Sequence, residues 1–240
     1  GVPMCLHCVP SLGPLTENWR SRAKDEDAQA ARPRGARRGE MKRILYATTN
    51  PTRVARLREL VSHLPLDVLS LDDVNRDAQV TEGGRTPAEN ARKKVEFHYR
   101  AGGMPTVAID SGLHVDRFRE DEQPGLFVRR VCGKGDRATD EEMLRYYQRE
   151  LDKIGGRSRG TWTTAIALKV SAGRTFCETF TSDTMFSSRA SDVLMPGEPL
   201  NALQIDGDTG KVYSEMTPEE RTRAQGRRAF GIVERHLDRL

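Results

Sequence analysis

Apolar residues recur about every two residues in some segments of the chain and about every three and a half residues in others. This alternation predicts alternating strands and helices. Residues 42 to 48, K-R-I-L-Y-A-T, form a short apolar run typical of a buried strand. A second such run covers residues 66 to 71. Between the two runs, four apolar residues share one face of a helix that Pro65 ends: Val54, Leu57, Val61 and Leu64. This alternation predicts an α/β fold.

The stretch from residue 81 to residue 118 carries clear boundary signals and predicts loop, helix, turn, strand, tight turn and strand. Thr86 takes the N-cap position before a proline, and Glu89 follows three residues later, as in a capping box. Two glycines and a proline end the helix. The β-branched run 106–109 predicts a short buried strand. That strand ends at Asp110, where a turn places a carboxylate at the strand end, the usual place for chemistry in α/β sheets.

The second half of the chain predicts a helix, a hairpin and a C-terminal helix. Thr139 begins a second capping box and an amphipathic helix that two glycines close. Two β-rich runs, 162–170 and 174–182, flank a short turn and predict a hairpin that extends the sheet into a second lobe or serves a dimer contact. Residues 187 to 201 are predicted to be a loop. Thr217 begins a third capping box and the last helix.

Composition narrows the class of protein. The 240-residue chain is 36% hydrophobic and has a net charge of +4, which favours anionic ligands without singling out nucleic acid. Its 4 cysteines are too few and too scattered for a disulfide framework, so we expect a reducing, cytoplasmic setting. No apolar run approaches the roughly 18 residues of a membrane-spanning helix, so we expect no membrane partner.

Residues 1 to 40 are predicted to be a disordered N-terminal extension, and residues 41 to 240 the folded domain. The segment 17–40 mixes charges with alanine, glycine and proline and has almost no apolar periodicity. We therefore expect deletion of residues 1 to 40 to leave the melting temperature and the activity unchanged. Calorimetry and an activity assay of both forms check this expectation, and a large loss of either quantity would place the segment within the domain.

Acidic, amide and basic groups gather around the central helix and strand. Glu82, Glu89 and Asp110 converge if the helix packs against the strand, and gathered carboxylates are typical ligands of Mg²⁺. Lys94 lies four residues after Asn90, so one helix face offers amide and ammonium groups together. Carboxylates, a metal and lysines suit a polyphosphate substrate. A purely structural interpretation, in which these residues serve the helix cap and the turn, stays equally open from the residues alone.

The turn after the first predicted strand is a second candidate site. A strand, a polar turn and a helix N-terminus form a natural phosphate cradle, because the free N–H groups of the helix point at the ligand. Arg53, in the first turn of that helix, would add a positive charge. Every α/β unit has such a turn and most bind nothing, so the signal is weak by itself.

Several spaced motifs resemble the inosine triphosphate pyrophosphatase family. E-G-G-R-T-P-A-E-N-A-R-K-K, from residue 82, resembles the family's E-x-G-x-T-F-x-E-N-A-x-x-K, and A-I-D-S-G-L-H-V-D, from residue 108, resembles A-D-D-S-G-L-x-V-D. T-T-N-P-T-R, from residue 48, resembles T-x-N-x-x-K, with Arg53 in place of lysine. P-G-L-F-V-R-R, from residue 124, resembles P-G-x-x-S-A-R, with Arg130 in the place of its arginine. The resemblance covers residues 41 to 240.

The resemblance implies an α/β fold with a long mixed central sheet, two lobes and an active-site cleft between them, and it implies a homodimer. It also implies Mg²⁺-dependent hydrolysis of a nucleoside triphosphate such as ITP, XTP or dITP to the monophosphate and pyrophosphate. By position, Glu82 and Asp110 would bind the metal and act in catalysis together with Lys94. The implied substrate-binding residues are Thr48, Asn50, Arg53, Glu89, Asn90, Ser111, Arg130, Gln225 and Arg228.

The chain also departs from the family pattern. Ile109 replaces one of the paired acids before Asp110. The family's F-G-Y-D-P-I-F segment is not recognisable, and residues 197 to 200 take its place. S-H-R-G-K-A appears only as A-Q-G-R-R-A, residues 224 to 229, so the expected base contacts of Gln225 and Arg228 have no support from spacing. The lost acid favours a non-catalytic, nucleotide-binding sensor as an alternative to an enzyme. A nucleic-acid-binding protein is disfavoured, because aromatics are scarce and no basic stripe is present.

Overall fold

The computed structural model describes residues 41–76, 80, 83–131 and 138–240, and of residues 225–229 it describes only the backbone. The predicted tail, residues 1 to 40, and Glu82 lie outside the described residues. The helices and strands follow one another in the order β1 (Lys42–Tyr46), α1 (Pro51–Leu60), β2 (Leu66–Leu69), α2 (Pro87–Gly102), β3 (Thr106–Val115), α3 (Asp140–Lys153), β4 (Arg157–Ser171), β5 (Arg174–Ser187), β6 (Gln204–Ile205), α4 (Pro218–Arg221) and α5 (Arg227–Arg235).

The strands form one mixed sheet of 6 strands in the order β2-β1-β3-β4-β5-β6. β1 pairs in parallel with β2 and β3, whereas β3, β4, β5 and β6 pair antiparallel in succession. The helical connections between the parallel strands and the short turn between β4 and β5 follow the usual rule for the two kinds of pairing. The predicted α/β fold with a mixed sheet and the predicted hairpin are confirmed. The division into two lobes stays a prediction.

The predicted tight turn at residues 110 to 112 is wrong. β3 continues from Thr106 to Val115, because β4 pairs with it over its whole length, and Asp110 lies opposite Ala165 in the strand interior. Gly112 allows two segments of the chain to approach closely and does not form a turn. A Cβ on this residue would lie 3.2 Å from the carbonyl oxygen of Gly125. The parallel pairing with β1 reaches only Val107, so Asp110 still lies beyond the end of the parallel part of the sheet.

The two faces of β3 meet different helices. α2 packs on one face through a small-residue cluster formed by Ala91, Val95, Ala108, Ala165 and Ala167. On the other face, α1 and α5 bury Val54, Leu57, Phe230, Ile232 and Val233 against Val107 and Ile166. Because side chains alternate along a strand, Asp110 shares the α2 face with Ala108, whereas Ile109 and Ser111 share the opposite face. A third cluster, between α3 and the far end of β3, contains Leu113, Val115, Tyr147 and Leu151.

The predicted helix starts are confirmed with two adjustments. Thr86, Thr139 and Thr217 cap their helices, and the last two form complete capping boxes. Glu89, however, accepts a hydrogen bond from the backbone N–H of Arg85 (2.8 Å), the residue before the N-cap, and not from the N–H of the N-cap itself. The predicted last helix is divided into α4, a π-helical segment at residues 222–226, and α5. In the described part of the chain, every helix is too short or too polar to span a bilayer.

Candidate active site

Asp110 stands at the centre of a compact polar cluster between β3 and α2. The Nζ atom of Lys94 lies 2.7 Å from its Oδ1 atom, and Asn90 donates through Nδ2 to its Oδ2 atom at 3.1 Å. The side chains of Asp110 and Lys94 are 11% and 16% exposed. These two side chains form an ion pair at the sheet end. The cluster therefore presents a largely buried carboxylate and an ammonium group that solvent still reaches.

Asn90 also connects the Asp110 cluster to the loop before α2. Its Oδ1 atom accepts a hydrogen bond from the backbone N–H of Gly84 (2.8 Å), while its Nδ2 donates to Asp110. A Cβ on residue 84 would lie 2.5 Å from that same Oδ1 atom, so only glycine allows this approach. Asn90 is 3% exposed, and hydrogen bonds at both its amide oxygen and its amide nitrogen fix the loop and the carboxylate together.

The N-terminus of α1 forms a second cluster at the end of β1. Asn50 is the N-cap, and its Oδ1 atom accepts from the backbone N–H of Arg53 at 3.3 Å. The backbone N–H of Asn50 donates to Oγ1 of Thr48 at 3.1 Å. Its side-chain Nδ2 atom donates to the carbonyl oxygen of Gly197 at 3.1 Å. The cap thus positions the start of α1 and joins it to a loop almost 150 residues further along the chain.

Residues 195 to 198, which we call the Gly197 loop, connect three parts of the chain. Besides Asn50, the carbonyl oxygen of Gly197 accepts a hydrogen bond from Arg129 Nη2 at 2.6 Å. Asp140, at the start of α3, accepts from the N–H of Gly197 at 2.6 Å and pairs with Arg129 at 2.8 Å. Gly197 has a φ of +77°, and a Cβ there would lie 2.6 Å from Asn50 Nδ2. Both the backbone conformation and the available space therefore require glycine.

Glu198, the next residue in the Gly197 loop, is a buried carboxylate between two arginines of α1. Its Oε1 atom lies 3.1 Å from Arg53 Nε and 3.5 Å from Arg56 Nη2, and its side chain is 10% exposed. Burial opposes ionisation, but the charges of Arg56 and Arg53 and the hydrogen bonds from Arg53 and Asn201 outweigh it. They lower the pKa of Glu198 below its ordinary value, so the carboxylate is ionised at neutral pH.

The pairing of β1 with β3 relates the two clusters. The N–H of Ala47, just after β1, donates to the carbonyl oxygen of Val107 at 2.9 Å. From this point the chain leaves the sheet towards Thr48 and Asn50, while β3 continues for three residues to Asp110. Asp110 faces α2 and α1 packs on the other face of the sheet, so the clusters lie on the two sides of one sheet end. This is the place where α/β proteins bind ligands.

The structure brings together six of the residues that the sequence predicted for the site, in two groups. Asp110, Lys94 and Asn90 form one group, and Thr48, Asn50 and Arg53 form the other. Glu89 is exposed and bonded to the Arg85 backbone. Ser111 lies on the opposite face of β3 from Asp110, with its hydroxyl 3.0 Å from that of Thr164. Glu82 lies outside the described residues, as do the side chains of Gln225 and Arg228.

Arg130 occupies a different position from its neighbour. Its guanidinium lies 4.5 Å from the centroid of the Phe127 ring, at the surface. Arg129, one residue earlier, points instead to Gly197 and Asp140. Sequence reasoning missed Arg129, Asp140 and Glu198. Asp140 was visible only as the first residue of a capped helix, and Glu198 only as part of the segment that replaces a family motif.

The described residues hold no group of three or more His, Cys, Asp or Glu side chains that could bind a metal ion by themselves. Within residues 83–131, Asp110 provides a hard carboxylate ligand, and its Oδ1 and Oδ2 atoms each keep lone pairs beyond the contacts with Lys94 and Asn90. Mg²⁺ is usually held by one or two carboxylates together with water and substrate phosphates. A single carboxylate with free lone pairs therefore fits this ion.

The mixed α/β sheet, with a helix N-terminus and an acid–lysine cluster at its end, has the architecture typical of proteins that bind anionic ligands. The Ham1 family model matches residues 44–230 of the chain. This chain belongs to the Ham1 family.

Relatives and solved structures agree with this assignment. The chain is 32% identical to a dITP/XTP pyrophosphatase of Streptomyces coelicolor over 82% of its own length and 99% of that protein. It is 29% identical to a dITP/XTP pyrophosphatase of Geobacter sulfurreducens over 82% and 97% of the two chains. A HAM1 protein from Coxiella burnetii has the same fold, with a TM-score of 0.66, 21% identity and coverage of 83% and 100%. The Staphylococcus aureus Ham1 protein gives a TM-score of 0.63, 21% identity and coverage of 82% and 98%.

Proposed function

We propose that this protein is a Mg²⁺-dependent nucleoside triphosphate pyrophosphatase that prefers an ITP-, XTP- or dITP-like purine. The cluster of Asp110, Lys94 and Asn90 beyond the parallel end of β1 and β3 is the observation that carries the proposal. The relatives in the family, which are dITP/XTP pyrophosphatases, support the same reaction and the same class of base.

The reaction requires water to attack the α-phosphorus and the bond to the bridging oxygen of the β-phosphate to break. Monophosphate and pyrophosphate then leave as products. Asp110 orients the attacking water and accepts its proton, a role that suits a carboxylate held by Asn90 and Lys94 in a mostly buried site. Lys94 neutralises charge that develops on the phosphoryl oxygens. Mg²⁺, when bound, supplies further neutralisation of the polyphosphate charge.

The start of α1 binds the remaining phosphates. The Asn50 cap and the Thr48 hydroxyl fix the turn, so that the positive end of the α1 dipole faces the ligand. Arg53 adds a guanidinium whose side chain is 39% exposed and is therefore accessible to an anion. In this arrangement the α1 cluster binds the substrate, while the Asp110 cluster performs the reaction.

Ile109 is compatible with this proposal. It faces the α1 and α5 side of the sheet and packs against the apolar cluster there, whereas Asp110 faces α2. An acid at position 109 would therefore lie on the opposite face from Asp110 and Lys94, and its absence removes no neighbour of the proposed catalytic carboxylate. This geometry favours the enzyme over the alternative of a non-catalytic nucleotide sensor.

The proposal is tested by measuring pyrophosphate release with Mg²⁺ from ITP, XTP, dITP, the four ordinary triphosphates and their deoxy forms. We expect release from ITP or XTP to exceed release from ATP by more than tenfold, and we expect EDTA to abolish it. Release from a single different nucleotide would contradict the base preference but not the reaction. Tight nucleotide binding without any release would overturn the proposal and favour the sensor.

A further inference from the structure

A row of four polar side chains, of which the middle two are buried, connects the hairpin to the Gly197 loop. Trp162 Nε1 donates to Gln204 Oε1 at 2.8 Å. Gln204 Nε2 donates to Asn201 Oδ1 at 3.0 Å, and Asn201 Nδ2 donates to Glu198 Oε2 at 3.1 Å. Gln204 is 4% exposed and Asn201 is 9% exposed, so water has little access to these groups. Each contact is therefore difficult to replace if it is lost.

The two ends of this row determine the direction of every hydrogen bond in it. The indole N–H of Trp162 can only donate, and the ionised carboxylate of Glu198 can only accept. Gln204 must therefore present its oxygen to the indole and its NH₂ group to Asn201. Asn201 must in turn present its NH₂ group to Glu198. If either amide were reversed, two donors or two acceptors would face each other in a buried site.

The row ends at the arginine of the proposed phosphate site. Glu198 Oε1 accepts from Arg53 Nε at 3.1 Å, while Oε2 is held by Asn201. Among the described contacts of Arg53, its side chain uses only Nε, so the terminal Nη atoms stay available to a ligand. A guanidinium held by Nε at a buried carboxylate has fewer rotamers than a free one, so less entropy is lost when it binds an anion.

We propose that Glu198 is a positioning residue that orients Arg53 towards the phosphates of the substrate. The hydrogen-bonded row from Trp162 through Gln204 and Asn201, in which each bond has a fixed direction, holds Glu198 in place. The role of Arg53 rests on the proposed function. Glu198 itself does not touch the substrate. It acts through the arginine, so its contribution falls on substrate binding and not on the chemical step.

The test is the substitution Gln204→Glu, which keeps the size of the side chain and its acceptor for Trp162 but replaces the NH₂ donor with an oxygen. Asn201 must then turn its own donor to residue 204 and its oxygen towards Glu198, which disturbs the carboxylate. We expect the KM for the nucleoside triphosphate and the Kd for inorganic tripolyphosphate to rise together by roughly tenfold, with kcat almost unchanged. Trp162→Phe, which removes the N–H donor and part of the ring but keeps an aromatic side chain, should move both constants in the same direction by a smaller factor.

Gln148→Glu is the matched control. Gln148 Nε2 donates to the carbonyl oxygen of Ser188 at 3.2 Å, outside the row, so this variant loses the same kind of donor without a link to Arg53. We expect its melting temperature to fall about as much as that of Gln204→Glu, while its KM stays at the wild-type value. Unchanged KM and tripolyphosphate affinity in folded Gln204→Glu and Trp162→Phe would overturn the positioning role.

The two readouts separate this inference from the proposed function. Tripolyphosphate binding, measured by calorimetry, does not require turnover. If the wild type binds tripolyphosphate but releases no pyrophosphate from any nucleotide, the proposed reaction fails, and the row is still judged by the affinities. If the wild type turns over normally and the variants bind tripolyphosphate as the wild type does, the reaction stands and the positioning role fails.

Discussion

Replacing Asp110 with asparagine is expected to lower kcat by about a thousandfold or more while the protein stays folded. The amide cannot accept the proton of the attacking water, and it binds a divalent cation less well than a carboxylate. Asparagine has nearly the same shape and can still accept a hydrogen bond from Asn90 or Lys94, so the packing between α2 and β3 is kept. We therefore expect the melting temperature to fall by only a few degrees. Steady-state pyrophosphate release and thermal unfolding measure the two quantities.

Asp116→Asn is the control for this change. Asp116 follows directly after β3, and its side chain is 51% exposed and lies 3.6 Å from His114, away from Lys94 and Asn90. The same chemical substitution there should leave kcat within a factor of two of the wild-type value, as expected for an exposed polar residue. Wild-type turnover in Asp110→Asn would refute the assignment of Asp110 as a catalytic and metal-binding residue.

Replacing Gly197 with alanine is expected to cause the second large effect, on both stability and substrate binding. The alanine would have to adopt a φ near +77° and would place its Cβ 2.6 Å from Asn50 Nδ2. The first factor costs about 1 kcal/mol, and the second forces the α1 cap or the loop to move. Because Asn50 and Arg129 both bond to the Gly197 carbonyl oxygen, the movement displaces the start of α1. We expect the free energy of unfolding to fall by about 2–3 kcal/mol and the KM to rise several-fold.

Gly210→Ala separates the two contributions. Gly210 has a φ of +69°, which is close to that of Gly197, but a Cβ there would have no neighbour within 4 Å. This variant should lose only the conformational contribution of about 1 kcal/mol and keep the wild-type KM. Equal losses of stability in the two variants, with equal KM values, would show that the contact between Gly197 and Asn50 has no role in the site. Urea unfolding and steady-state kinetics of both variants supply the comparison.

The local signals in the sequence predicted most of the secondary structure. Thr86, Thr139 and Thr217 begin helices as expected, because an N-cap depends on residues within one turn of the chain. Asn50, for which the sequence predicted only a turn before the helix, is the N-cap of α1 and precedes a proline. The first group of the candidate site followed from the same logic. Asn90 and Lys94 are four residues apart on one helix face, and both contact Asp110.

One error arose where a distant partner decides the local structure. The glycine after Asp110 and Ser111 predicted a turn, but β4, some fifty residues away, pairs with the whole of β3 and keeps the strand extended. The assignment of Arg130 to the site stays a prediction, and the fold adds a contact between Arg129 and Gly197 that no local signal indicated. The pattern of apolar residues within one strand does not show which other strand will pair with it.

The sequence by itself determined the α/β class, the helix starts, and the helix face that offers Asn90 and Lys94 to Asp110. These features depend on neighbours within a few residues. Only the tertiary structure decided that Glu198 binds Arg53, since 145 residues separate them, and that Trp162 orients that carboxylate through two amides. The physical reason is the range of the interactions. Capping and helical spacing act within a turn of the chain, whereas a buried polar network exists only after the sheet brings its members together.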